Sequence, residues 1–250
     1  MKGLPQANID AAAKMAAENG QEGKWMFNMQ RPSCNPVLQY CENRELREKV
    51  YKAYYNRGNQ DNEYDNKAIC AKIVALRIEK AQLMGYENYA QMALEDRMAN
   101  SPEAVYELLD AVWEPAVKKA KEEIDDIRKE IRKEGKSFEP EGWDFMYYQD
   151  KAKQAKYAVD EQELRSYLEI GNVMQGVFYA EKLYGLTFKE ITADVPSYEP
   201  TAKAYEVIDR DGKLLAIFYS DNFPRDGKGA GAWCTSFRGQ RYENGERVIP

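Results

Sequence analysis

The sequence predicts a mainly α fold with a small antiparallel β-sheet near its C-terminal end. Three observations predict it. Apolar residues recur at helical spacing through the first three quarters of the chain. After Gly185 the period shortens to that of strands. Two turn signals, Arg210-Asp211-Gly212-Lys213 and Glu243-Asn244-Gly245-Glu246, then mark hairpins.

Ile9 to Glu18 reads as an Ala-rich helix closed by Asn19-Gly20. Lys24 to Met29 alternates weakly, and Arg31-Pro32-Ser33 reads as a break. Pro36 suits the first turn of a helix through Leu38 and Tyr40, and Asn43 to Asn56 continues as another. Arg57 to Asn66 is a polar loop. Asp65 is expected to cap a long helix in which Ile69, Ile73, Leu76 and Leu83 share a stripe, with Gly85 as its end.

Ser101-Pro102-Glu103 combines a cap, a first-turn proline and a first-turn acid. The helix that follows is expected to kink at Pro115 and to resume to Lys133. Its charge-dense second half reads as a solvated face with pairs such as Asp125–Lys129, in preference to a partner-binding face. Trp143 to Tyr157 forms the next helix. Asp160 and Glu163 give a capping-box-like start, Gly171 a break, and Val173, Val177, Ala180 and Leu183 a last helical stripe. Ala204 to Ile208 and Leu214 to Ser220 read as strands, and a further strand is read from Ala232 to Phe237. The expected organisation is a helical region over 1–185, with the sheet and a Gly-rich loop over 186–250 packed on it as one domain.

Composition excludes several functions. There is no histidine among the 250 residues, so a His-x-x-x-His zinc pair, a Ser–His or Cys–His nucleophile and a histidine base are all ruled out within them. A net charge of −6 argues against a broad nucleic-acid or anionic-membrane surface. Aromatic residues make up 12%, too many for a disordered tail. No apolar run approaches the roughly 20 residues that span a bilayer, and Met1 to Gly20 has no signal-peptide core. Cys34, Cys41, Cys70 and Cys234 form no C-x-x-C pair. They are expected to be reduced and mostly buried, which suits a cytoplasmic setting.

Candidate chemistry is sparse. The segment from Asp226 to Ala232 meets the loose dinucleotide pattern at Gly227, Gly229 and Ala232, but no βαβ context surrounds it. No Ser or Thr follows Lys228, so it is not a phosphate-binding P-loop either. It reads instead as a loop that lets backbone approach a ligand or another part of the fold. Glu122-Glu123 and Asp125-Asp126 lie on charge-dense helices without apolar surroundings to perturb them, and no glycosidase-like pair stands out. Tyr54-Tyr55 and Tyr147-Tyr148 read as helical packing in preference to a groove lining. Asp221 and Arg225 fit a structural ion pair or an Asx-turn.

A set of segments then carries a resemblance. They are Asn43-Arg44-Glu45-Leu46-Arg47-Glu48 with Tyr51-Lys52-Ala53-Tyr54, Asp65-Asn66, Ala75-Leu76-Arg77, and Leu83-Met84-Gly85-Tyr86-Glu87-Asn88-Tyr89-Ala90. Further along come Trp143-Asp144 with Tyr147-Tyr148, Gly176-Val177-Phe178, and Leu183-Tyr184-Gly185-Leu186-Thr187-Phe188. Last are Phe218-Tyr219-Ser220-Asp221, Pro224-Arg225, Lys228 and Gly231-Ala232-Trp233. In this order they resemble the zinc metallopeptidases of the thimet oligopeptidase and peptidyl-dipeptidase group, most of all its bacterial dipeptidyl carboxypeptidase branch.

The resemblance implies a mostly helical fold with a channel for short unfolded peptides, a zinc site on a His-Glu-x-x-His helix, and release of C-terminal dipeptides. That motif lies outside these residues, so no catalytic or metal residue is carried over. The chain is expected to be an internal portion of such an enzyme, inactive by itself and without zinc of its own. Its expected partners are short peptides and the remaining N- and C-terminal parts of the same protein, with neither nucleic acid nor membrane among them. One substrate-side assignment survives: Gly231, Ala232 and Trp233 as an edge strand that pairs with an extended peptide. The alternatives are a non-catalytic helical peptide-binding module and an enzyme that works without histidine, for which no residue spacing speaks.

Overall fold

The computed structural model describes residues 1–158, 161–225, 227–229 and 231–250. It is mainly α with a small antiparallel sheet near the C-terminal end, as the sequence predicts. The chain divides into two compact units, Met1–Ala158 and Val159–Pro250.

The first unit comprises α1 (Gln6–Glu18), α2 (Arg31–Tyr40), α3 (Arg44–Tyr55), α4 (Lys67–Leu83), α5 (Tyr89–Leu94), α6 (Pro102–Lys133) and α7 (Gly142–Tyr157). The start signals lie where side chains satisfy the unpaired first-turn amides. Asn43 accepts from the Leu46 amide at 3.0 Å, and Ser101 from the Ala104 amide at 3.2 Å. The two prolines of α2 exchange their expected roles. Arg31-Pro32-Ser33 opens the helix instead of breaking it, with Pro32 in the first turn and Pro36 in the interior. A first-turn proline forfeits no helical bond, whereas Pro36 gives up one. Asn66, not Asp65, takes the N-cap position of α4, although Asp65 accepts from the Lys67 amide at 2.9 Å. Helix α6 runs through Pro115 as one element, and its ion pairs include Asp125–Arg128 and Asp126–Lys129, each one residue closer than the Asp125–Lys129 pair expected. Short α5 escaped the sequence reading, although Asn88 caps it by accepting from the Gln91 amide.

Two apolar clusters form the core of this unit. One gathers Leu4, Cys34, Val37, Leu38, Cys41 and Val50, and the other Ile127, Ile131, Tyr147 and Tyr148. Tyr147 and Tyr148 therefore pack helices, as expected. Among them lies a charged group with almost no access to water: Asp144 is 0% exposed and Arg47 1%. Arg44 and Arg47 reach the Asp144 carboxylate at 2.7 and 2.8 Å. Arg47 also donates to the carbonyls of Cys41 and Trp143 and lies 4.2 Å from the Tyr147 ring centroid. A buried charge survives only with such pairing. Burial by itself raises the Asp144 pKa; the hydrogen bonds from Arg44 and Arg47 outweigh it and hold the carboxyl below the ordinary carboxylate value.

Helix α4 carries its apolar residues on its surface. Ile69, Ile73 and Leu76 share one stripe, yet all are exposed, and so is Leu83. At about 100° per residue, Val74 and Ile78 fall on the opposite side, and they are exposed as well. Only Ala81 of this helix is buried. A helix apolar on opposite sides is ordinarily an interior element. Of the four cysteines, Cys34 and Cys41 are buried as expected, while Cys70 of α4 and Cys234 are exposed.

The second unit contains α8 (Glu161–Tyr167), α9 (Ile170–Lys182), β1 (Thr187–Glu190), β2 (Lys203–Ile208), β3 (Leu214–Ser220), β4 (Arg241–Glu243) and β5 (Glu246–Val248). Gly171 does not break the chain: α9 begins at Ile170, with the Glu169 side chain accepting from the Asn172 amide. Asp160, half of the expected capping box, lies outside the described residues. The sheet is antiparallel in the order β1-β2-β3, and β4-β5 is a separate hairpin. Both turns occur where expected. Gly212 adopts φ +79°, and the Asn244-Gly245 pair has φ 52° and 84°, the left-handed geometry of a tight hairpin turn. The register places Phe188, Tyr205, Val207 and Phe218 on one face, where Phe178 of α9 stacks on Phe188 at 4.7 Å and meets Tyr205 edge-on at 5.0 Å. The opposite face carries Lys189, Glu206, Ala204 and Tyr219.

Replacing Arg47 by Met leaves Asp144 buried with Arg44 as its one remaining cation. It should lower the stability of the first unit by about 3–5 kcal/mol in urea unfolding; a loss below about 1 kcal/mol would show that the buried pair is dispensable. Glu134 gives a second test. Burial by itself raises its pKa, but hydrogen bonds from Lys136, Lys151 and Tyr148 bring it from 4.5 down to about 2. A depressed carboxylate contributes stability that is fully present above the unfolded value and disappears as pH falls through the folded one. Between about pH 4.5 and about pH 2, the Glu134→Gln chain should therefore lose less stability than the parent, as measured by urea midpoints. Equal losses would exclude Glu134 as a source of acid sensitivity.

Candidate functional site

The sheet leads directly into the best-built polar cluster of the second unit. Strand β3 ends at Ser220, and Asp221 follows with its side chain only 4% exposed. Arg225 donates to both carboxylate oxygens at 2.9 Å. The Lys228 ammonium donates to one of them at 2.9 Å, and to the Asp221 and Phe223 carbonyls at the same distance. All three ammonium protons are thereby used, and the backbone at Asp221 and Phe223 gathers around one cation. Tyr198 donates its hydroxyl to Asp221 at 3.2 Å, and Arg225 reaches Glu199 at 3.3 Å. The Lys228 hydrogen bond, aided by Arg225 and Tyr198, outweighs burial and keeps the Asp221 carboxyl below its ordinary range.

The Asp221–Arg225 pair is thus the structural tie the sequence suggests. Lys228 and Tyr198 are additions to it. The spacing Asp-x-x-x-Arg-x-x-Lys was visible in the sequence and could have revealed Lys228. Tyr198 lies 23 residues from Asp221 and sends no local signal.

Beyond the clamp, Gly227 and Gly231 adopt φ +77° and +119°, in the left-handed region where only glycine is unstrained. A Cβ at Gly227, Gly229 or Gly231 would meet nothing within 4 Å among the described residues, so the positive φ of Gly227 and Gly231 is what calls for glycine there. Asp226 and Ala230 lie outside the described residues. Gly231, Ala232 and Trp233 are exposed, Trp233 by 55%. The strand expected from Ala232 to Phe237 is not formed; these residues run as coil. A strand needs a neighbour to satisfy its amides, and none pairs with this segment among the described residues.

Three aromatic rings stand beside the clamp. Tyr198, Tyr219 and Phe237 lie 5.8–6.2 Å apart, centroid to centroid. Tyr219 donates its hydroxyl to the Pro196 carbonyl at 3.1 Å.

The other candidates do not assemble into a site. Asp125 and Asp126 are paired with neighbouring cations on α6, and Glu122 pairs with Lys119. Tyr54 meets Tyr55 edge-on, lies beneath Arg57 and packs against the first core cluster. No group of three or more His, Cys, Asp or Glu able to hold a metal occurs among the described residues. The chain has no histidine, and the buried side chains of Asp144 and Asp221 are already neutralised by arginine and lysine. The donor set present does not fit a zinc ion. Nor is any helix among the described residues long and apolar enough to cross a membrane.

The sequence matches the pattern of Peptidase family M3 over residues 37–250. It is 33% identical to a dipeptidyl carboxypeptidase of Salmonella typhimurium over 251 aligned positions, covering 100% of this chain and 37% of that protein. It is 34% identical to oligopeptidase A of the same bacterium, over 96% of this chain and 36% of the relative. A probable cytosolic oligopeptidase A of Arabidopsis thaliana is 33% identical over 93% of this chain and 34% of its own length. The chain thus spans little more than a third of the length of these relatives. With a family match that runs from the interior of α2 through the sheet and the Asp221 clamp to Pro250, the chain belongs to Peptidase family M3.

Proposed function

We propose that this chain forms the substrate-side part of a zinc-dependent peptidyl-dipeptidase, one that removes dipeptides from the C-termini of short peptides. The observation that carries the reading is the M3 match over 37–250 in a sequence without a single histidine. The match supports peptides as substrates. The missing imidazole means that these residues contribute peptide handling and leave metal chemistry to other parts of the family polypeptide. No hydrolytic step is assigned to them.

In this reading Gly231, Ala232 and Trp233 act as an edge that an incoming extended peptide completes. Their exposure and the lack of a neighbouring strand support it: backbone donors and acceptors without a sheet partner are what strand addition requires. The Lys228–Asp221 clamp fixes the loop from which this segment emerges, so that peptide binding need not first order it. The other partner is the remaining family polypeptide. The apolar residues on both sides of α4 support that assignment, because large exposed apolar areas mark packing surfaces. The histidine-free composition also favours a second reading, a peptide-binding module without catalysis.

Metal analysis of the purified 250-residue chain should find no stoichiometric zinc, and incubation with short peptides should release no dipeptide. Bound zinc at one equivalent, or turnover, would sink the division of labour. Replacing Ala232 by Pro removes a backbone donor and should weaken binding of a short extended peptide about fivefold or more, by the worth of one hydrogen bond. Unchanged affinity would refute the edge assignment.

A further inference from the structure

We infer that Tyr198, Tyr219 and Phe237 form a platform that receives a large apolar side chain of the bound peptide, so that this chain selects peptides as well as holding them. The inference rests on the peptide-handling reading above and adds a specificity determinant to it. The first support is that two of the rings are exposed and the third half-buried, yet all three are held in place. Tyr198 is 50% exposed and Phe237 76%, but both tyrosine hydroxyls are engaged inward, on Asp221 and on the Pro196 carbonyl. The polar tips are satisfied by the protein, which leaves the carbon faces for a ligand.

The second support is the character of the sheet face that carries Tyr219. The aromatic packing of this unit against α9 lies on the opposite face, with Phe178, Phe188 and Tyr205. On the Tyr219 face, Lys189 and Glu206 make a cross-strand ion pair at 3.3 Å. A face with an exposed ion pair two residues from its apolar end is poorly suited to a covering helix or a second copy, either of which would bury unneeded charge. The aromatic area is local and suits one side chain.

The third support is position. Tyr198 shares Asp221 with Lys228, and Arg225 lies 5.8 Å from the Tyr198 ring. The platform therefore abuts the loop that leads to Gly231, Ala232 and Trp233. A peptide paired along that segment projects alternate side chains to either side of its backbone, and the platform is rigid before it arrives.

The test uses the 250-residue chain and acetylated fluorescent peptides Ala-Ala-X-Ala-Ala, with X as Ala, Leu or Phe, read by anisotropy. The parent chain should prefer Phe over Ala about tenfold, with Leu between, as burial of part of a ring predicts. Phe237→Ala should lower the Phe peptide's affinity most and bring the three affinities within about twofold of one another. Phe237 is so exposed that its loss leaves the fold intact, which circular dichroism would verify. Tyr198→Phe, which keeps the ring and loses only its tether, should retain part of the preference. Equal affinities for the three peptides in the parent chain, or a preference untouched by Phe237→Ala, would overturn the platform while leaving the peptide edge standing. Failure to bind any of the three peptides would overturn both readings. Concentration-dependent association in sedimentation, abolished by Phe237→Ala, would mark the rings as a contact between copies and overturn the inference too.

Discussion

The first unit depends on one carboxylate. Asp144 has no access to solvent, and a charge so placed is tolerable only if its partners come with it. Arg44 and Arg47 both belong to α3, whereas Asp144 opens α7, so neutralising the charge forces the two helices together. Arg47 then spends its remaining donors on the Cys41 and Trp143 carbonyls, which fixes the end of α2 and the start of α7 by the same guanidinium. The apolar clusters on either side supply most of the burial, but burial has no direction. The ion pair is the contact that specifies which helices meet and in what register. Gly142, beside it, has a further role: a Cβ there would collide with the Tyr51 ring, so the turn into α7 needs the smallest residue.

The same logic shapes the second unit on a smaller scale. Asp221 is buried where β3 ends, and Lys228, Arg225 and Tyr198 converge on it. Here the partners are local, so the ion cluster organises a loop instead of joining helices. A lysine whose three protons all have acceptors no longer behaves as a mobile surface cation; it is the centre about which the backbone is wound. Such a loop can present a neighbouring segment to a ligand with little ordering cost on binding.

Much of the local structure was legible in the sequence because it depends on near neighbours. Asn43 and Ser101 cap helices, Gly212 and the Asn244-Gly245 pair make turns, and strand β3 runs over the residues expected of it. The failures share a physical cause. Pro32 and Pro36 suit a helix start equally well in isolation, and the choice fell to the packing of Val37 and Leu38. Gly171 disfavours a helix interior, but the Glu169 cap makes its position a tolerated first turn. The residues from Ala232 to Phe237 have the composition of a strand but no partner among the described residues, and strands are made by partners. The stripe on α4 is apolar as read, and it stands exposed, since periodicity reports what a helix would bury and says nothing of what is there to cover it.

By itself the sequence determined the fold class, most helix and turn positions, the kinship with peptidases and the exclusion of any histidine-based chemistry within these residues. Those properties follow from residue type and short spacing, which are written along the chain. Tertiary structure decided the rest: that Asp144 belongs with Arg44 and Arg47, some 100 residues earlier, that Tyr198 belongs with Asp221, and that three rings meet on the sheet face opposite α9. Each of these is a pairing between distant residues, imposed by the need to neutralise a buried charge or satisfy a hydroxyl. Such needs arise only once folding has taken the groups out of water.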